Sequence, residues 1–197
     1  TLAVDVGTLF VKLAHNGNGI LATREGARST FAGVVKRDGD DILVGQPAME
    51  KFWEYPKEKV DLARKPNNNT TDVLFQVLTP AIQDALDRAS LQHNKMRSVV
   101  TIPASSVYDE NDPRNPWAAV KAEVSGSTVW KTPTWIPEPV AAVWGAQVHG
   151  DLPLHDLKKP VLVVDMGAHA TSLTVVEKDV VKANVTLDVG AQSFVDA

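Results

Sequence analysis

Two apolar runs in this chain are broken at the same point in their plan by an aspartate, one apolar residue and a glycine. The first is Leu2-Ala3-Val4-Asp5-Val6-Gly7-Thr8, followed by Leu9-Phe10-Val11-Lys12-Leu13-Ala14; the second is Val161-Leu162-Val163-Val164-Asp165-Met166-Gly167, followed by Ala168-His169-Ala170-Thr171-Ser172-Leu173-Thr174-Val175-Val176. A glycine and small residues between two β-prone runs read as a hairpin turn. For either stretch alone a plain hairpin is an adequate account. The other account puts the aspartate at a strand end facing a ligand, with backbone N–H groups of the turn offered to a phosphate. Two such stretches in one chain are much less expected by accident than one. If each hairpin edges its own half of the molecule and the halves face each other, both turns reach one phosphate chain. Asp5 and Asp165 would then hold a hydrated Mg²⁺ between them, because magnesium takes a few carboxylates together with waters and phosphate oxygens.

Composition narrows the alternatives. With 197 residues, 44% hydrophobic and 22% charged, the chain can bury a core as one large domain or two small ones. A formal charge of −4, with acids and bases interspersed, provides no basic footprint, so nucleic acid is not an expected partner. Cysteine is absent, which excludes disulfides, thiolate zinc sites and thiol catalysis. The five histidines are scattered, with no helical pair at metal spacing. No apolar segment approaches the roughly twenty residues of a membrane span. The first residues read as a strand, not a signal peptide. A start at Thr1 without methionine reads as a lost targeting peptide or as numbering from inside a longer protein.

Along the chain, short strands are expected at Ile20 to Arg24, Thr30 to Lys36 and Ile42 to Gly45, then a short helix from Pro47 to Trp53. Residues 64 to 71 form a polar, asparagine-rich loop. It carries two overlapping N-x-[ST] triplets at Asn68 and Asn69; a third stands at Asn184. Thr71 to Ala89 has helical apolar spacing, interrupted at Pro80. Arg97 to Ile102 reads as a buried strand, Pro116 to Val124 as a helix, Val129 to Ile136 as extended and Pro139 to His149 as a helix. The division expected is 1–150, a connector at 151–160, and 161–197.

Several segments in order carry a family resemblance. They are Asp5-Val6-Gly7-Thr8; Val44-Gly45-Gln46-Pro47-Ala48 with Pro56 following; Val99-Val100-Thr101-Ile102-Pro103-Ala104; Ile136-Pro137-Glu138-Pro139-Val140-Ala141-Ala142; Asp165-Met166-Gly167; and Val189-Gly190-Ala191 with Phe194. Together they resemble the actin-like ATPase superfamily, and within it the ATPase domain of the seventy-kilodalton heat-shock chaperones.

The resemblance implies an α/β fold: an actin/heat-shock-type ATPase lobe with a ribonuclease H-like mixed sheet and helices, followed by the opening of a truncated second lobe. It implies ATP or ADP with Mg²⁺ as cofactor, held weakly or not at all by this chain alone. Its phosphate contacts fall on Gly7, Thr8 and Leu9 in the first loop and on Gly167, Ala168 and His169 in the second. Asp5, Asp165 and Glu138 fall at the metal, with Glu138 also orienting the attacking water. The family's catalytic lysine falls at Arg64, beside Lys65. Protein partners are implied as a co-chaperone, a client or a larger assembly, inside the cell or in an organelle lumen.

The chain departs from the family in three places. Gly167-Ala168-His169-Ala170-Thr171 is one residue longer and poorer in glycine than the family's second loop, closer to the larger heat-shock relatives and to actin. Arg64 keeps the lysine's charge but not its compact ammonium. Leu9 and Phe10 stand where small or polar residues are usual. The arginine at 64 and the glycine-poor second loop imply hydrolysis about a hundredfold or more slower than in a typical member, the scale of losing one transition-state donor. Two other functions fit the same residues: a structural or assembly subunit using the scaffold as a docking surface, and an actin-like filament protein. His169 reads more readily as a turn residue than as a ligand. The five tryptophans read as packing, although Trp117 to Trp144 could mark a surface buried against a partner.

Overall fold

The structure is a computed structural model. It describes residues 1–6, 10–21, 30–31, 34–36, 42–44, 59–60, 83, 86–92, 96–104, 133–152, 159–167 and 170–191. The chain divides into two compact units: residues 1–100 with 113–134, and residues 101–112 with 135–197.

In the first unit, β1 (Leu2–Val6) and β2 (Phe10–His15) form the first Asp-x-Gly hairpin, antiparallel, with Asp5 opposite Lys12 and Val6 opposite Val11. β3 (Gly19–Ile20) and β4 (Thr30–Phe31) both pair with β2. β5 (Val34–Lys36) lies between β6 (Ile42–Val44) and β7 (Lys59–Val60) in a small separate sheet. On the other edge of β1, β8 (Ser98–Ile102) runs parallel, with Leu2 opposite Ser98 and Val4 opposite Val100.

Strand alternation decides which face of this sheet is buried. Leu2, Val4, Val11, Leu13 and Val100 are all buried. Leu86, in the helical turn Leu86–Arg88, is 1% exposed.

β8 continues into the second unit, where β9 (Thr134–Pro137) is its neighbour. α1 (Glu138–His149) follows directly; Pro139 fits its first turn, where the missing N–H has no intrahelical partner to lose. The helix ends at Gly150, whose φ of 81° is left-handed. Gly150 N–H donates to Gln147 O at 3.1 Å and Asp151 N–H to Ala146 O at 2.8 Å, closing the last turn.

β10 (Val161–Met166), β11 (Thr171–Glu177) and β12 (Val180–Leu187) form an antiparallel sheet in that order. α1 covers one face of it: Val140 and Val143 pack with Val176, and Val161, Val163 and Val181 border them.

The β11–β12 turn places Lys178 at φ 51° and Asp179 at φ 63°. A left-handed backbone costs an L residue about 1–2 kcal/mol, and glycine forfeits roughly 0.5–1 kcal/mol of chain entropy, so Lys178→Gly is expected to stabilise by about 0.5 kcal/mol. The urea midpoint reads this, and a lowered midpoint would contradict the turn geometry.

The α/β actin/heat-shock-type lobe with a ribonuclease H-like mixed sheet is overturned. Among the described residues the structure is mostly strand, with twelve strands against one full helix. The balance has a local cause. The Val- and Thr-rich period-two runs of β10 to β12 build a three-stranded antiparallel sheet. Of the long helix expected from Thr71 to Ala89, only Gln83 and Leu86–Arg88 are described as helical; the helices expected at Pro47 to Trp53 and Pro116 to Val124 lie outside the described residues.

Candidate functional site

The two Asp-x-Gly hairpins share one register. Val6 pairs with Val11 and Asp5 with Lys12; adding 160 to each number gives Met166 paired with Thr171 and Asp165 paired with Ser172. The last cross-strand pair therefore encloses four residues in both, 7–10 and 167–170. This equivalence places the two aspartates at matching points, each on the last turn-proximal pair but one.

Around Asp5, Lys12 Nζ donates to Oδ2 at 3.3 Å. Both side chains are substantially exposed, so the pair contributes less than about 1 kcal/mol to stability. The pair also sets an ammonium, a positive point charge, beside the Asp5 carboxylate at the turn end of the hairpin. Lys12 was missed in the sequence reading, yet its position as the mirror image of Asp5 about the turn was available there.

Asp165 is exposed, and its cross-strand partner is Ser172 instead of a lysine. Beside it on the same face runs a polar cluster. Ser172 Oγ and Thr174 Oγ1 donate to Asn184 Oδ1 at 2.8 and 2.7 Å, and Asn184 Nδ2 donates to Thr186 Oγ1 at 3.3 Å. Nothing in the sequence reading singled out this cluster, although Asn184 and Thr186 belong to the third N-x-[ST] triplet.

Gly167 is tied into its own loop. Its N–H donates to Ala170 O at 2.9 Å, and its carbonyl accepts from Ala191 N–H at 2.9 Å. Thr171 Oγ1 donates to Val189 O at 2.6 Å. The Val189-Gly190-Ala191 stretch is thus fastened to the second loop, and Gly190 is buried. A Cβ added at Gly167 would meet Ala170 O at 3.2 Å, tighter than ordinary contact. The Gly167 N–H reaches a phosphate only after leaving Ala170.

Glu138 is the first residue of α1, half-buried, where a negative charge suits the positive end of the helix. Helix start and acid are adjacent in sequence because β9 passes into α1 without a loop. Gly7, Thr8, Leu9, Arg64, Ala168 and His169 lie outside the described residues. Asp5 belongs to the first unit and Glu138, Asp165 and Gly167 to the second. Among the described residues no group of three or more His, Cys, Asp or Glu side chains is gathered to hold a metal ion. No helix among them is long and apolar enough to cross a membrane.

No family model matches the chain, and no curated protein matches it.

Proposed function

We propose that the chain is a chaperone-like nucleotide-binding module that takes the phosphates of ATP or ADP with Mg²⁺ and has weak or lost turnover. The observation that carries this reading is the identical register of the two hairpins, which puts an aspartate at matching places in two separate units. A carboxylate beside a turn is what a hydrated magnesium and its phosphates call for.

In this reading Asp5 and Asp165 orient the magnesium through its waters. Gly7, Thr8, Leu9, Ala168 and His169 line the phosphates, Arg64 lies near the terminal phosphoryl group, and Glu138 orients water. Phosphoryl transfer asks mainly for positioning and charge stabilisation, so arginine in place of lysine and a second loop poor in glycine favour binding over turnover. Lys12 supports the reading as a nearby cation for phosphate. The protein partners belong to the same proposal, as a co-chaperone, a client or a larger assembly, inside the cell or in an organelle lumen.

Isothermal titration with Mg-ATP is the test. Saturable binding is expected, weakened at least tenfold, about 1.4 kcal/mol, by Asp165→Asn. An absence of binding up to millimolar nucleotide would sink the proposal. A single-turnover assay beside Arg64→Lys and Glu138→Ala tests the slow turnover: Arg64→Lys is expected to raise the rate and Glu138→Ala to abolish what remains.

A further inference from the structure

The turn from β2 into β3 reads His15-Asn16-Gly17-Asn18-Gly19, two consecutive Asn-Gly pairs. In such a pair the glycine nitrogen can attack the asparagine's own side-chain carbonyl carbon, because a residue without Cβ leaves that nitrogen unhindered and its backbone free to approach. Asn16, Gly17, Asn18 and Gly19 are all exposed to water. The two dipeptides are identical, so the sequence prefers neither.

Their surroundings differ. Gly17 N–H, on the nitrogen that would attack Asn16, donates to His15 Nδ1 at 3.2 Å. The carbonyl under attack is held as well: Asn16 Oδ1 accepts from Thr1 N at 3.0 Å, a donor placed where negative charge develops as the nitrogen adds. Gly19, whose nitrogen would attack Asn18, is instead engaged in the β2–β3 ladder opposite His15. Asn18 contributes to its neighbour's site, since its Oδ1 lies 2.9 Å from the same His15 Nδ1. A neutral ring receives the Gly17 N–H on the Nδ1 lone pair; once Nδ1 carries a proton, Asn18 Oδ1 accepts it. The proton that the ring removes therefore has an acceptor in place.

We propose that Asn16–Gly17 is a self-modifying site, with His15 as the general base. Gly17 N forms a bond to Asn16 Cγ while its proton passes to His15 Nδ1. The imidazolium returns that proton to the side-chain nitrogen as the Cγ–Nδ2 bond breaks, and ammonia leaves. The product is a five-membered succinimide, which water opens at either carbonyl to give aspartate or isoaspartate at position 16. Either product adds a negative charge to a chain of formal charge −4. Isoaspartate also lengthens the main chain by one carbon inside the turn, next to the His15–Gly19 pair and the Leu21 N–H bond to Leu13 O at 2.9 Å, and so loosens β3 from β2.

The test is a time course on the 197-residue chain at neutral pH. After digestion, fragmentation mass spectrometry of the peptide spanning both asparagines follows the loss of each side-chain amide separately, and an isoaspartyl methyltransferase labels the rearranged product. Asn16 is expected to convert at least about tenfold faster than Asn18, a modest share of what a positioned general base contributes. In urea, where the turn is gone, the two rates should converge. His15→Ala should bring Asn16 down to the Asn18 rate with circular dichroism unchanged. Asn18→Ala keeps the base but removes the acceptor for its proton, and should slow Asn16 by a smaller factor. The proposal is overturned if Asn16 converts no faster than Asn18 in the folded chain, if its lead persists in urea, or if that lead survives His15→Ala.

Discussion

Leu86→Ala is expected to destabilise the first unit by about 2–5 kcal/mol, whereas Leu162→Ala is expected to change stability by no more than about 0.5 kcal/mol. Both changes delete the same atoms. Their surroundings differ: Leu86 is 1% exposed and Leu162 is 62% exposed. Truncating the first leaves a cavity inside close-packed neighbours in addition to the lost transfer energy, and truncating the second returns little to water that was not already there. Urea unfolding followed by tryptophan fluorescence measures both, with five tryptophans for signal. Equal midpoint shifts would show that Leu162 is covered in solution.

The second large effect is expected at Asn184. Its Oδ1 is the acceptor for both Ser172 and Thr174, and Thr174 is 1% exposed. Asn184→Leu removes the shared acceptor and leaves Ser172 and Thr174 only each other, at 3.1 Å, so one hydroxyl donor beside the buried Thr174 goes unmade and a loss of about 1–3 kcal/mol is expected. Asn184→Asp keeps an acceptor for the two hydroxyls and should recover part of that loss. Thr186→Val removes only an exposed, longer bond of 3.3 Å and should cost less than about 1 kcal/mol. If Asn184→Leu proves as mild as Thr186→Val, the cluster is not what holds β11 against β12. The same bonds assign the Asn184 triplet a structural use: its side-chain amide already donates within the sheet.

Both hairpins were legible because each is a local signal. Val, Leu and Thr alternate on either side of a glycine turn, and a register follows from turn length alone. β8 was legible as an apolar run stopped by Pro103, and α1 as an apolar stripe opened by Pro139 and closed by Gly150. The equivalence of Asp5 and Asp165 was likewise present in the spacing. β12 was not anticipated, because Lys182, Asn184 and Thr186 interleave its valines and its side chains are mostly exposed. Such a strand earns its place by pairing with β11 and by the polar cluster, contacts that no window of its own sequence displays.

The sequence by itself determined the local units: two Asp-x-Gly hairpins, a buried strand, a helix opened by Pro139, and a chain without cysteine chemistry. Only the tertiary structure decided how these were used. It put Lys12 on Asp5, committed the Gly167 N–H to Ala170, gathered Ser172, Thr174 and Asn184 into one hydrogen-bonded cluster, and overturned the α/β lobe in favour of a mostly β architecture. It also made one face of a repeated hairpin core in the first unit and surface in the second. The physical reason is that turn and strand propensities act over a few neighbouring residues. Burial, cross-strand partners and the fate of a backbone N–H depend on residues distant in sequence, so identical local patterns can meet different surroundings.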